Sequence, residues 1–305
     1  MKNSSMITIC IPLYQSDFNY VQKAVESVLT QTSSKWKLVL VDGSSEPELR
    51  SKQWIASLVN PSISYVANEG DKTMAGNWNF AFSAAQTDLV TLLHDDDFLH
   101  EDYVKEVLGL SAEQPQSSGY FCGAYIVNSR GGLSQTVADS VKRFLMPKDN
   151  ILRIKGDKGL ASLLKANFIF CPTICYRKSQ LDAKPFSSDW KMVTDLDFYQ
   201  KTIHEGGEFV GLKKQLYYYR RHSENQTSKL TQSLERFSEE CEMYSMIATS
   251  YAKSEWPQSV KAAKAKSMIK LHVGYLTAKS LLLFDLKQFK RLFSFAFALL
   301  LRSPK

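Results

Sequence analysis

The chain has 305 residues, of which 44% are hydrophobic and 12% aromatic, which is enough apolar material for one large domain or a domain with an appendage. This composition excludes a disordered chain, and 14 Gly, 9 Pro and 5 Cys exclude collagen-like and disulfide-scaffold proteins. The formal net charge of +7 raises the question of a nucleic acid or a membrane as partner.

The positive charge is concentrated at the C-terminus. Residues 257–305 contain ten Lys and Arg residues and one acid, Asp285, which gives +9. Residues 1–256 contain 28 basic and 30 acidic residues, which gives −2. Because the body is nearly neutral, we predict no nucleic-acid partner.

Strand and helix patterns alternate along the first hundred residues. Apolar runs typical of buried strands lie at 7–13, 37–41, 63–66 and 89–93. Helices are predicted at 17–30, from about Pro47 to Val59, at 73–85 and at 101–110. This alternation predicts an α/β fold with a Rossmann-like, mostly parallel sheet and flanking helices.

The pattern changes after residue 117. Strands and loops are predicted over 117–154, with a hairpin turn at Gly131-Gly132, and further strands at 168–176 and 208–219. Helices are predicted at 158–165 and 194–204, and then at about 230–253, 257–283 and 286–301. We therefore divide the chain into a body, residues 1–229, and a C-terminal helical extension, residues 230–305.

The cysteines and the N-terminus bear on the cellular compartment. Five cysteines are an odd number and fit buried thiols in a reducing compartment. Cys171 and Cys175 lack a second Cys or His pair at ligand spacing, so we interpret them as core residues. No signal peptide and no run of about 20 apolar residues is found, and we predict a cytoplasmic protein.

Polar residues follow three of the predicted strands. Tyr14 follows the first strand, Asp42 the second, and Asp95–Asp97 the fourth. In such sheets ligands bind outside the carboxyl ends of the strands. We therefore expect these side chains to converge on one crevice.

Three adjacent aspartates, Asp95, Asp96 and Asp97, form the sharpest local signal. One interpretation is an acidic cluster at the N-terminus of the following helix, where carboxylates are favourable. The other is a cation site, because adjacent carboxylates at the end of a buried strand repel one another. We favour the cation site, since Mg²⁺ or Mn²⁺ suits carboxylates and substrate phosphates can complete its coordination.

Other polar positions also have a structural and a functional interpretation. Asp42 fits ordinary turn chemistry or a ligand contact, and Asp195 and Asp197 fit helix capping or a general base. Residues 217–222 (YYYRRH) fit a solvated edge, a nucleic-acid patch, or a site for pyrophosphate or metal. The remaining histidines are interpreted as surface or packing residues: His94, His100, His204 and His272.

An ordered series of segments resembles glycosyltransferase family 2, the inverting enzymes of the GT-A fold that build bacterial surface polysaccharides. The matching segments are residues 9–14 (ICIPLY), 24–32 (AVESVLTQT), 38–45 (LVLVDGSS), 68–70 with 76–79, 92–99 (LLHDDDFL), 194–197 and 219–228. They cover about residues 6–228 and leave out the C-terminal helices. The resemblance implies that residues 1–229 form the catalytic domain.

The resemblance also implies roles for single residues. Contacts to a nucleotide sugar fall on Pro12, Tyr14, Asp42, Lys72 and Asp95. Contacts to Mn²⁺ or Mg²⁺ and the diphosphate fall on Asp96, Asp97 and His222. Asp195 matches the carboxylate that activates the acceptor.

The chain departs from the family pattern at four positions. Gln15, Gly43, His94 and Thr194 stand where the family has Asn, Asp, the first acid of an Asp-x-Asp element, and Glu. The metal register is therefore open between Asp95 with Asp97 and Asp96 alone. Asp195 is a stronger candidate base than Asp197.

The implied reaction is transfer of a sugar from a nucleoside diphosphate sugar, with UDP as the expected nucleotide, to a hydroxyl of a glycan or lipid-linked acceptor. One alternative is a sugar-phosphate nucleotidyltransferase, although residues 12–15 (PLYQ) are not a Gly-rich phosphate loop. The other is a non-catalytic membrane- or glycan-binding protein, which the intact acidic positions argue against.

The last predicted helix combines apolar and basic residues. Leu and Phe residues between Leu292 and Leu301 follow Lys287, Lys290 and Arg291. Such a helix can lie in an anionic membrane interface, which would place the protein peripherally on the inner face of the cell membrane. It can equally pack on the catalytic domain or in a homo-oligomer.

Overall fold

The computed structural model describes residues 6–46, 49–134, 151–222, 226–253 and 255–301. The predicted helix start at Pro47 and residues 135–150 of the strand-and-loop segment lie outside the described residues. Within that part of the chain, no helix is long and apolar enough to cross a membrane.

A mixed sheet forms the centre of the described structure. Its strands are β1 (Ile7–Leu13), β2 (Trp36–Asp42), β3 (Ile63–Ala67), β4 (Leu89–Leu92), β5 (Phe98–Leu99), β6 (Gly119–Val127), β7 (Ile151–Lys155), β8 (Cys175–Arg177) and β9 (Glu208–Arg220). Their order is β3-β2-β1-β4-β8-β6-β9-β5, and β7 pairs with the first half of β9. Only β5, β7 and β8 run against the common direction, so the predicted mostly parallel sheet is confirmed.

Helices cover both faces of this sheet. They are α1 (Phe18–Leu29), α2 (Leu49–Ser57), α3 (Met74–Ala84), α4 (Tyr103–Glu113), α5 (Gly156–Lys165), α6 (Thr194–His204), α7 (Gln226–Ser233), α8 (Glu235–Ser250), α9 (Pro257–Ala265), α10 (Ser267–Leu282) and α11 (Leu286–Leu301). The side chains of each strand alternate between the two faces. In β1, Ile9 and Ile11 pack with α1, α2 and α4, whereas Cys10 faces the cluster of α3, α5 and α6.

The register of the central strands sets where the polar residues meet. β1 lies between β2 and β4 and is parallel to both, with Leu13 opposite Asp42 and Cys10 opposite Leu92. The three strands therefore end at one edge of the sheet. As the topology predicts, the loops that follow them carry Tyr14, the turn after Asp42, and the three aspartates Asp95–Asp97, which we call the triplet.

Two secondary-structure predictions are wrong. The apolar run at 168–176 is mostly not a strand, because Pro172 lacks an N–H and a 3₁₀ turn forms at Cys171–Thr173 before the short β8. The last third of the chain contains five described helices rather than three. Leu234 and Lys266 adopt left-handed backbone angles, with φ of 69° and 51°, and each interrupts a predicted helix.

The C-terminal helices share a hydrophobic cluster with the body. Phe237 of α8 is fully buried and packs against His272 of α10 and Phe295 of α11. The Tyr244 hydroxyl donates a hydrogen bond of 2.7 Å to the Leu164 carbonyl at the end of α5. The extension is therefore packed on the sheet face that carries α3, α5 and α6; the boundary at 229 stays a prediction.

Candidate functional site

The end of β2 holds Asp42 in a fixed orientation. Its carboxylate is buried and accepts hydrogen bonds from the Tyr65 hydroxyl at 2.5 Å and from the Ser44 N–H at 2.9 Å. The Lys72 ammonium donates to the Ser44 carbonyl at 2.8 Å, so Lys72 lies across the same turn. These residues belong to the ends of two neighbouring strands, β2 and β3, whose parallel pairing brings them together.

Pro12 and Tyr14 differ in accessibility. Pro12 is buried inside β1, opposite Val41, whereas the Tyr14 side chain is 55% exposed beyond the end of the strand. Of the two, Tyr14 is therefore the one that presents its side chain to a ligand.

Asn77 of α3 packs under the turn that follows Asp42. Its amide donates to the Leu13 carbonyl at 3.2 Å and accepts from the Asn68 amide at 3.2 Å. A Cβ atom at Gly43 would lie 2.6 Å from the Asn77 Cγ. The departure from the family's Asp at Gly43 thus has a physical counterpart, since Asn77 fills the space beside the turn.

The three aspartates have three different partners. Asp95 accepts a hydrogen bond from the Ser16 hydroxyl in the loop after β1. Asp96 pairs with His222, whose Nε2 lies 2.9 Å from the carboxylate. Asp97 is fully buried and accepts from the Tyr217 hydroxyl at 2.9 Å and the Arg220 N–H at 2.6 Å. Residues 217–222 are therefore hydrogen-bonded directly to the triplet.

Two groups of the acidic cluster, Asp97 and His222, have shifted pKa values. Burial, and next the Asp96 carboxylate, raise the pKa of Asp97 well above its usual value, against the hydrogen bonds from Arg220 and Tyr217. The hydrogen bond to Asp96 raises the pKa of His222 despite its partial burial. The Asp96 carboxylate thus adds to the effect of burial on Asp97, as adjacent carboxylates do.

His94 packs against Trp78, in line with its interpretation as a packing residue, and it also lies beside the acidic cluster. One ligand atom each from His94, Asp96 and Asp97 lies within 4.8 Å of the others. Burial lowers the pKa of His94, which favours the neutral imidazole that can bind a metal. Two carboxylates and an imidazole are donors that suit Mn²⁺, so the residues present fit a divalent ion.

Asp195 lies at the first turn of α6. One carboxylate oxygen accepts from the Leu196 N–H at 2.8 Å and the other from the Asn167 amide at 3.4 Å. The side-chain oxygen of Asn167 is buried and has no hydrogen-bond partner among the described residues. Buried polar atoms are rarely left unpaired, so this spot suits a water molecule or a substrate hydroxyl.

Asp197 has a structural environment instead. It is 1% exposed, and the Lys201 ammonium one turn later donates to it at 2.6 Å. This ion pair within α6 leaves Asp195 as the more accessible carboxylate of the two.

Aromatic rings connect α6 with the triplet. Trp78 of α3 stacks on His94 with 5.5 Å between ring centroids and meets Phe186 edge-on at 5.4 Å. Phe186 in turn packs against Phe198 of α6 at 5.5 Å. The segment that carries Asp195 is therefore held relative to the acidic cluster by packed side chains.

A family model described as glycosyl transferase family 2 matches residues 8–182. The chain belongs to this family. The match runs from β1 through the triplet and past β8, and it confirms the resemblance found in the sequence.

Two relatives match part of the chain. WcaA of Escherichia coli (strain K12), assigned as a colanic acid biosynthesis glycosyl transferase, is 31% identical over 97 residues, which are 32% of this chain and 34% of WcaA. Glycosyltransferase GlyA of Streptococcus pneumoniae serotype 4 is 28% identical over 109 residues, 32% of this chain and 14% of GlyA. The chain thus spans about a third or less of the length of these relatives.

Solved structures of similar fold cover nearly all of the chain. S. aureus TarS 1–349 in complex with UDP-GlcNAc has a TM-score of 0.66, with 17% identity, over 98% of this chain and 82% of TarS 1–349. A second crystal structure of TarS 1–349 has a TM-score of 0.57, with 17% identity, over 94% of this chain and 90% of that one. At this identity the likeness concerns the fold, and it confirms the predicted fold class.

Proposed function

We propose that this family 2 member transfers a sugar from a nucleoside diphosphate sugar, specifically a UDP-sugar, to a hydroxyl of a glycan or lipid-linked acceptor, with inversion at the anomeric carbon. The observation that carries the proposal is the family match over residues 8–182, which includes the edge where Asp42 and the triplet meet. TarS, of similar fold, has been crystallised in complex with UDP-GlcNAc, and WcaA is assigned to colanic acid biosynthesis, which supports the choice of nucleotide and acceptor.

The donor would bind at the edge formed by β1, β2 and β4. Asp42 would bond the base, with its orientation fixed by Tyr65, and Tyr14 would cover the base. Asp95, next to Ser16, would approach the ribose, and Lys72 would offer its ammonium to a phosphate. Pro12 would shape the floor of this site from within β1.

Asp96, Asp97 and His222 would hold Mn²⁺ or Mg²⁺, with His94 as a further donor. When bound, such an ion supplies positive charge that offsets the charge developing on the departing diphosphate. The protein contributes the fixed geometry: Tyr217 and the Arg220 N–H hold Asp97 so that its neighbour Asp96 faces His222. Fixed charges cost no reorganisation during the reaction.

Asp195 would act as the general base. It would accept the proton of the acceptor hydroxyl while that oxygen attacks the anomeric carbon and the bond to the diphosphate breaks. Asn167 and the Leu196 N–H hold its two oxygens, and the side-chain oxygen of Asn167 would accept a hydrogen bond from an acceptor hydroxyl group beside it.

The decisive variant is Asp195→Asn, with the exposed Asp182→Asn as control. We expect Asp195→Asn to bind UDP in the presence of Mn²⁺ as the wild type does and to lose transfer by a factor of about 10²–10⁴, because only the base is removed. Calorimetric UDP binding and release of UDP from UDP-sugars measure the two properties. Near-normal transfer by Asp195→Asn would refute the base assignment, and failure of the wild type to turn over any nucleotide sugar would refute the function.

A further inference from the structure

The turn between α10 and α11 exposes a group of large apolar side chains. We call Leu281, Leu282, Leu283, Phe284 and Leu286 the apolar tip. The side chains of Phe284 and Leu282 are 86% and 78% exposed, and neither can form a hydrogen bond with water. Contiguous exposed apolar surface of this kind marks an interaction site.

The apolar surface continues along both helices. Leu271 and Tyr275 are exposed on α10, and Phe293, Phe297 and Leu300 are exposed on α11, at spacings that keep each set on one side of its helix. The inward residues are separate ones: Val273 of α10 and Leu292 of α11 are among those buried in the shared core. The exposed set is therefore additional to the core-facing set.

The turn at the tip is fixed by its backbone angles and hydrogen bonds. Phe284 adopts a left-handed backbone angle, with φ of 56°, and the Asp285 N–H donates to the Ser280 carbonyl at 2.9 Å. The Asp285 carboxylate accepts from the Gln288 N–H at 3.0 Å and so caps the start of α11. This conformation holds Phe284 outward, and the one acid of residues 257–305 serves the turn itself.

Exposed lysines flank the tip along the chain. Lys279, one turn before the end of α10, and Lys287 and Lys290, in the first turns of α11, are all exposed. The Arg291 guanidinium donates to the Ser233 carbonyl at 3.2 Å, which ties α11 to the end of α7. Apolar residues at the end of a hairpin with lysines beside them match an interface of hydrocarbon and anionic headgroups.

We propose that the apolar tip binds the surface of an anionic lipid bilayer. A second copy of the chain is the weaker occupant, because two segments of +9 would be brought together. Nucleic acid would match the lysines but would leave Phe284 and Leu282 without an apolar environment. A bilayer with anionic lipid satisfies both features, and this proposal does not depend on the transfer reaction.

The test compares two variants of the full chain at closely matched positions. Phe284 and Val59 are 86% and 87% exposed, and both have left-handed backbone angles, with φ of 56° and 45°. In co-sedimentation with vesicles of phosphatidylcholine plus phosphatidylglycerol, we expect Phe284→Asp to weaken binding by at least about tenfold, whereas Val59→Asp leaves it unchanged. Equal melting temperatures of the three proteins would show that neither change affects folding.

A second variant tests the electrostatic part. Replacing Lys287 and Lys290 by Gln should weaken binding to the anionic vesicles by about fivefold per lysine, and binding of the wild type to pure phosphatidylcholine should be much weaker. The proposal is overturned if the wild type does not sediment with anionic vesicles, or if Phe284→Asp binds them as well as the wild type. It is also overturned if Phe284→Asp instead dissociates an oligomer seen by sedimentation velocity.

Discussion

Single side chains at the end of β2 set the shape of the proposed nucleotide site. Asp42 is oriented by Tyr65 and Ser44, and Asn77 closes the space beside Gly43. A residue without a side chain is required at this turn because the neighbouring amide, rather than the backbone angle, leaves no room. Small changes here should therefore be felt both in stability and in ligand binding.

Gly43→Ala should destabilise the fold by about 1–3 kcal/mol and weaken UDP binding, because its Cβ would lie 2.6 Å from the Asn77 Cγ. The control is Gly109→Ala in the middle of α4, where nothing lies within 4 Å of the added atom. That change should stabilise the fold by about 0.5–1 kcal/mol, since alanine is the better helix former. Urea denaturation measures the free energy of unfolding of both variants. If Gly43→Ala and Gly109→Ala changed it in the same direction, the steric explanation would be wrong.

The sequence predicted residues whose position follows from strand order, and it missed those that depend on tertiary contacts. Asp42 and the triplet follow from the rule that parallel strands end at one edge. The contact of Asn167 with Asp195 and that of Ser16 with Asp95 link segments 28 and 79 residues apart, and no spacing rule connects them. The sequence indicated His94 as a surface or packing residue, and it does pack on Trp78, but no spacing rule places its imidazole beside the carboxylates of Asp96 and Asp97.

At the scale of elements, one carboxylate joins the body to the C-terminal helices. Asp157, in the first turn of α5, accepts hydrogen bonds from the N–H groups of Gln258 and Ser259 at 2.9 and 2.7 Å. It thereby caps α9 from another helix, where Pro257 occupies the first turn and needs no partner for its nitrogen. Burial opposes ionisation, but these hydrogen bonds outweigh it and lower the pKa of Asp157.

Asp157→Ala should lower the free energy of unfolding at neutral pH by about 0.5–2 kcal/mol, as loss of a helix cap does. Because the pKa of Asp157 is lower in the folded chain, its stabilising effect is present above the unfolded pKa and is lost as the pH falls through the folded value. The difference between wild type and variant should therefore shrink in acid. Urea denaturation at several pH values measures it, the exposed Asp182→Ala should be near neutral, and a difference that grows in acid would contradict this account.

The spacing of apolar residues was sufficient to predict the helices that bury one face. It was insufficient where the backbone turns at a residue other than Gly or Pro. α1 was predicted because Val21, Val25 and Val28 recur at helical spacing, and all three are buried. At Leu234 and Lys266 the helices are interrupted by left-handed backbone angles. Because neither residue is Gly, the sequence does not predict these breaks. They depend on packing of the flanking helices against the body.

At the scale of the whole molecule, the hydrophobic cluster behind α3, α5 and α6 extends without a break into α8–α11. We therefore expect the body and the C-terminal helices to unfold in one cooperative transition. Calorimetry together with near- and far-UV circular dichroism measures this, and coincident midpoints are the expected result. Two separate transitions would show that the helical extension is an independent domain.

The shared cluster also has a geometric consequence for any membrane-bound form. Helices packed through a shared core against α3, α5 and α6 cannot act as a loose tether. If the Phe284 turn enters a bilayer, the height and tilt of the crevice above the lipid are fixed by the fold. An acceptor would then be selected first by how far its reacting hydroxyl stands from the membrane, before any contact reads its chemical identity.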